Sequence, residues 1–168
     1  MTRQLATGPG MWVLLSYRMP REPSTPRITI WRKLKRLGVA QLGDGLIALP
    51  ADARTREQLD WIAEEIVESG GNATVWLAQP ATLAQERELA AAMAAARSEE
   101  YRAVIDQAAA ASGASETERT RTIRRLRDEL RRIHRRDYFP PTERDNARHA
   151  VETLTGPRAK ADSSKITS

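Results

Sequence analysis

Between residues 12 and 78 the apolar side chains switch repeatedly between strand and helix spacing, and that alternation leaves few folds open. Residues 12–17 (WVLLSY) form an apolar run of strand length. Met19-Pro20-Arg21-Glu22-Pro23 ends it, because proline donates no ladder hydrogen bond. Ser24 or Thr25 then offers a helix N-cap, with Pro26 expected at the first helical position. Ile30, Trp31, Leu34 and Leu37 recur at helical spacing, and Gly38 is the expected stop. Two short apolar runs, 39–42 and 46–49, flank Gly43-Asp44-Gly45 and predict a tight hairpin. Asp52 stands where it can cap a helix over 53–69. That helix carries Leu59, Ile62, Ala63, Ile66 and Val67 on one stripe and Glu57, Asp60, Glu64, Glu65 and Glu68 on the other face. Gly70-Gly71-Asn72 stops it, and 73–78 reads as a last strand. The order predicts an α+β fold, a ferredoxin-like βαββαβ antiparallel sheet with both helices on one face. Trp12, Trp31, Trp61 and Trp76 fall one on each of the first strand, the two helices and the last strand, and are expected to pack in the core.

A helical C-terminal extension is expected at 81–154, after the ferredoxin-like domain at 11–80. Leu83, Leu89 and Met93 suit one helix, and Tyr101, Val104 and Ile105 a second. The run AAAASGAS at 108–115 reads as a break. Ile123, Leu126, Leu130 and Ile133 give coiled-coil-like spacing within a helix over 116–136. Asp137-Tyr138-Phe139-Pro140-Pro141 ends it, and a short helix follows over 142–154. Residues 1–10 and 155–168 are expected to be flexible or disordered ends.

Composition removes several kinds of function. The chain has no cysteine, which excludes disulfides, thiolate metal sites and thiol redox chemistry. His134 and His149 are too few and too far apart to suggest a metal site. The first strand ends Ser16-Tyr17-Arg18, without the acid that a metal-dependent phosphodiesterase would need there. Neither a flavin-binding motif nor a nucleophile elbow is present, so no catalytic residue, metal or cofactor is expected. No run approaches the roughly 18 apolar residues of a membrane span. Residues 1–11 lack the apolar run of a secretory signal, and a cytoplasmic location is expected.

The net charge of +5 is strongly segregated. Residues 1–37 carry eight Lys and Arg against one Glu, residues 38–115 five against twelve acids, and residues 116–168 fourteen against nine. The first basic cluster is Arg27, Arg32, Lys33, Lys35 and Arg36 on the first helix. Several long cations on one helix face suit DNA phosphates. A solvated face paired with the acidic helix at 57–68 would explain them equally. The second cluster lies on the helix over 116–136, where Arg124, Arg127 and Arg131 share a stripe. Converging arginines can bind an oxyanion through charge-assisted hydrogen bonds. The ordinary alternative is a helix flank paired with carboxylates at 86–100.

The segment WVLLSYRMPREPSTPRITIWRKLKRLGVAQLGDGLIALP, followed by LDWIAEEIVESGGNATVW and later by ELRRIHRRDYF and a short helix, resembles the N-terminal domain of the ChrB family. The resemblance covers residues 11–154. It implies a role in chromate resistance, as a chromate-responsive transcriptional regulator or its DNA-binding part, with chromate as effector. ChrB proteins also carry a second, C-terminal domain. A second possibility is therefore a module that touches no DNA, forming a homodimer or docking a separately encoded second half.

Overall fold

A computed structural model of the chain describes residues 8–156. The expected flexible ends at 1–10 and 155–168 lie largely outside that range. The elements run β1 (Trp12–Arg18), α1 (Ser24–Leu37), β2 (Ala40–Gly43), β3 (Leu46–Pro50), α2 (Ala53–Glu68), β4 (Asn72–Ala78), α3 (Leu83–Ala110), α4 (Glu116–Arg135) and α5 (Glu143–Thr153). They fall into two compact units. One holds the described residues up to Ala96 together with Arg135–Pro140, and the other holds Arg97–His134 and the described residues from Pro141 onward.

In the first unit the four strands form one sheet in the order β2-β3-β1-β4, every neighbouring pair antiparallel. This is the arrangement the ferredoxin-like order requires. The central strand β1 sets Val13 opposite Leu49 and Leu77, and Leu15 opposite Ile47 and Val75. Period-two alternation puts this set on one face. Ile30 and Leu34 of α1 and Leu59, Ile62 and Ile66 of α2 are buried in the same cluster. Each such aliphatic side chain, fully buried, stabilises the fold by roughly 1.5–3 kcal/mol. The alternate face carries Trp12, Leu14 and Ser16. Trp12 is 2% exposed, stacks on Phe139 at 6.0 Å and donates from its indole nitrogen to Glu86 Oε1 at 3.0 Å. Glu86 also accepts from the Gly10 amide at 2.8 Å. The start of the sheet is thus closed by side chains from far along the chain.

Local chemistry explains the element ends. Asp52 caps α2: its Oδ1 accepts from the Thr55 amide at 2.7 Å, while Thr55 Oγ1 accepts from the Asp52 amide at 3.0 Å. Gly38 closes α1 with φ of 74°, a left-handed conformation that glycine adopts without side-chain strain. Asp44 and Gly45 turn the β2–β3 hairpin, and a bulge falls between Gln41 and Gly43. Gly45 has φ of 70°, and a Cβ there would lie 2.3 Å from the Tyr17 carbonyl oxygen. Its own carbonyl accepts from the Tyr17 amide at 2.8 Å, which brings the hairpin close to the end of β1.

The second unit is helical. Leu126 and Ile133 of α4 are buried with Tyr101, Val104 and Ala108 of α3 and with Ala147 and Val151 of α5. Ile123 and Leu130 are partly buried against this cluster, so the predicted seam is the packed face of α4.

Several expectations need correction. Trp61 is 61% exposed and Trp76 53% exposed, so the tryptophans are not all core. Trp61 lies one residue before the buried Ile62, about 100° round the helix from it. Trp76 shares the sheet face of its partner Leu14, opposite Val13 and Leu15, and its indole donates to Ser16 Oγ at 2.9 Å. Val67 is likewise exposed, one residue past the buried Ile66. The N-cap of α1 is Pro23, with no side-chain cap bond, so Ser24, Thr25 and Pro26 all lie inside the first turn. The two helices expected before residue 108 are one, α3, because no glycine or proline interrupts 83–110.

Gly45→Ala is expected to destabilise the protein by about 2 kcal/mol or more, since it adds left-handed strain to a steric clash. Gly43→Ala, where a Cβ meets nothing within 4 Å, should change stability by about 0.5 kcal/mol or less. Urea unfolding of both variants checks the contrast.

Candidate anion-binding surfaces

The five cations of α1 do not share one surface. The buried stripe of Ile30 and Leu34 holds the helix against the sheet and divides its polar residues into distinct sectors. Lys33 lies beside α2 and forms an ion pair with Glu65 at 2.5 Å. Arg32 and Arg36 lie on the exposed side, four residues apart, and neither has a carboxylate within ion-pair range among the described residues. Lys35 sits over the Trp31 ring at 5.5 Å. Arg27 lines a separate cavity with Trp31, Ile28 and the strand residues Tyr17 and Arg18. The structure therefore keeps Arg32 and Arg36 together on the open face, ties Lys33 to the acidic helix, and turns Arg27 elsewhere. Arg18 is the cation that sequence reasoning misses. A charged residue ending an otherwise apolar strand is its only local signal.

In the second unit Arg124, Arg127 and Arg131 do converge. With Arg119, Glu116, Ile123, Leu154 and Thr155 they line a groove of about 440 Å³. Arg131 is paired with Asp128 within α4. Arg119, Arg124 and Arg127 have no carboxylate in ion-pair range among the described residues. An incoming anion can thus meet three guanidinium groups not already neutralised by a partner. Arg132 pairs with Glu129 within the helix, and Arg125 hydrogen-bonds Gln107 on α3. The stripe read from sequence spacing does not include Arg119, although it lies one turn ahead of Ile123. His134 and His149 are exposed. Among the described residues no group of three or more His, Asp or Glu side chains is placed to hold a metal ion.

The second unit also holds a polar network that sequence spacing does not signal. Glu143, in the first turn of α5, accepts from Ser98 Oγ at 2.7 Å and pairs with Arg102 Nη2 at 2.8 Å. Arg102 also pairs with Glu99 at 2.6 Å. The Ser98 hydroxyl, the residue's own backbone N–H and the Arg102 guanidinium together hold the Glu143 carboxyl below its ordinary value. Ser98 is buried, so its hydroxyl needs this partner. The network joins α5 to α3, and none of its residues lines the arginine groove.

Fold and surfaces define a small α+β protein in which each of the two units presents unpaired arginines on a helix. The chain belongs to the ChrB N-terminal family. The family model "Protein ChrB, N-terminal" matches residues 27–162. Protein ChrB of Cupriavidus metallidurans is 32% identical over 133 residues, covering 77% of this chain and 40% of that protein. The chain thus matches well under half the length of this curated relative. No solved structure matches it. Among the described residues, no helix is long and apolar enough to cross a membrane.

The Glu143 network sets a pH dependence. A carboxyl whose folded value is depressed stabilises the fold fully above its ordinary value of 4.5, and that stabilisation is lost as pH falls through the folded value. Glu143→Gln is therefore expected to melt below the parent at pH 7, and the gap should close in acid. Thermal unfolding of both proteins across pH 3–7 reads this directly.

Proposed function

We propose that this chain serves chromate resistance in the cytoplasm as the DNA-binding part of a chromate-responsive transcriptional regulator. The observation that carries the reading is the open face of α1, where Arg32 and Arg36 are exposed and unpaired on a helix fixed to the sheet by Ile30 and Leu34. Lys35 extends the positive face beside them. Such a surface offers phosphate contacts, which give affinity and register but no base specificity. Chromate, a dianion, acts as the effector and is held in the groove of Arg124, Arg127 and Arg131 by charge-assisted hydrogen bonds from Arg124 and Arg127, while Arg131 stays paired with Asp128. The role requires no catalytic step. Family membership supports the chromate link, which is carried over from the whole ChrB protein to a chain that matches 40% of it.

One observation favours a second role beside this one. Trp76 and Leu77, on the edge strand β4, are each about half exposed, and an edge strand offers unpaired backbone groups. A ChrB second half or a second copy of this chain would cover them. If so, the chain should elute with a separately produced second half in size-exclusion chromatography, and Trp76→Lys should abolish co-elution.

Gel shifts with the upstream DNA of its own operon test the main reading. Affinity should fall steeply with salt, and Arg32→Ala with Arg36→Ala should lower the log–log salt slope by about one unit for each phosphate no longer neutralised. Lys33→Ala should leave that slope unchanged, because Lys33 is already paired with Glu65. Chromate should release the DNA from the parent but not from an Arg124→Ala, Arg127→Ala double variant. Equal retention by the Arg32, Arg36 variant would defeat the assignment to α1.

A further inference from the structure

A cavity of about 510 Å³ between α1, the end of β1 and the β2–β3 hairpin is unused by the DNA and chromate roles. Its size is that of a small-molecule site, whereas a single tetrahedral oxyanion would leave most of it empty. Its lining is mixed in a particular way. Tyr17, Met19, Ile28 and Trp31 supply apolar surface, and Arg18 and Arg27 supply two cations. Ile28 is 45% exposed, a large aliphatic side chain on a helix whose own packing does not use it. Among the described residues neither arginine has a carboxylate in ion-pair range. Asp44, which lines the same cavity, lies beyond that range from both. Asp44 and Gln41 at the hairpin leave hydrogen-bonding groups able to meet ring N–H and ring nitrogen atoms. Burial raises the Tyr17 hydroxyl above its ordinary value, so it stays a neutral donor near pH 7. The hairpin wall is held by the Tyr17 amide bond to Gly45, which makes the cavity a consequence of the fold and not of a loose loop.

We propose that this cavity binds a small planar aromatic anion, with its ring against Trp31 and Ile28 and its anionic group between Arg18 and Arg27. Cations beside apolar surface recognise both parts of such a molecule at once, and neither a bare oxyanion nor a neutral ring would satisfy the site. The anionic group can be the phosphate of a mononucleotide or the carboxylate of an aromatic acid. Heteroaromatic N–H groups facing Asp44 and Gln41 favour the mononucleotide. The site is independent of the arginine groove on α4, so it stands or falls apart from the chromate assignment.

Titration calorimetry of the full chain with adenosine 5′-monophosphate and with 2-naphthoate tests the proposal. Binding of either probe at sub-millimolar concentration, weakened at least tenfold by Arg18→Ala and by Arg27→Ala, is the expected result. Tighter binding of the nucleotide identifies a nucleotide site, and tighter binding of naphthoate an aromatic-acid site. Both arginines are exposed, so the variants should keep the parent unfolding temperature. Trp31→Phe, which retains a ring at the wall, should bind where Trp31→Ala does not. Arg124→Ala should leave probe binding unchanged. Failure of both probes to bind, or binding equal in the parent and both arginine variants, overturns the proposal.

Discussion

The first unit depends on β1 being hydrogen-bonded along both edges. It pairs with β3 and β4, and it alone joins β4 to the β2–β3 hairpin. A strand in that position must be apolar on both faces. Here Val13 and Leu15 pack with both helices, while Trp12 is covered from the opposite side by Phe139 and held by Glu86. Strong specification of the middle strand makes register unforgiving, since a slip of one residue would send Val13 and Leu15 to the wrong face. Gly45 and Gly71 fix that register from either side, because each lies where a Cβ would strike the carbonyl of Tyr17 or Arg18.

Charge is organised by the same framework. Of the acidic residues of α2, Glu65 meets α1, and among the described residues only Lys33 of the α1 cations has an ion pair there. The buried stripe sets which sector of α1 faces α2, and Arg32 and Arg36 fall outside that sector. Exposed ion pairs contribute little stability, so the uneven pairing says more about which cations are available than about what holds the unit together. On α4 the division is similar. Arg131 and Arg132 are paired within the helix, while Arg119, Arg124 and Arg127 are not.

Much of the fold is legible because it is written in local chemistry. Asp52 followed by Thr55, Gly38 after Leu37 and Asp44-Gly45 between two apolar runs each mark a boundary through the hydrogen bonds or torsions that residue type permits. The tryptophans mislead for a reason equally physical. An aromatic side chain signals burial only on average, and Trp61 and Val67 sit one residue off the stripe of Leu59, Ile62 and Ile66. Trp76 follows the strand alternation onto the less covered face. Arg18 escapes notice because nothing local distinguishes a strand-ending arginine from a solvated one.

By itself the sequence determined the order of strands and helices, the capped start of α2, the seam of α4, the segregation of charge and kinship with the ChrB N-terminal family. These rest on periodicity and on neighbours a few residues apart. Tertiary structure alone decided which cations are free. Lys33 meets Glu65 thirty-two positions away, Arg27 joins Arg18 across the chain turn, and Arg119 joins Arg124 and Arg127 beside Leu154. An ion pair or a cavity depends on the distance between side chains brought together by folding. Spacing along one helix places a charge on a face but does not say what that face meets.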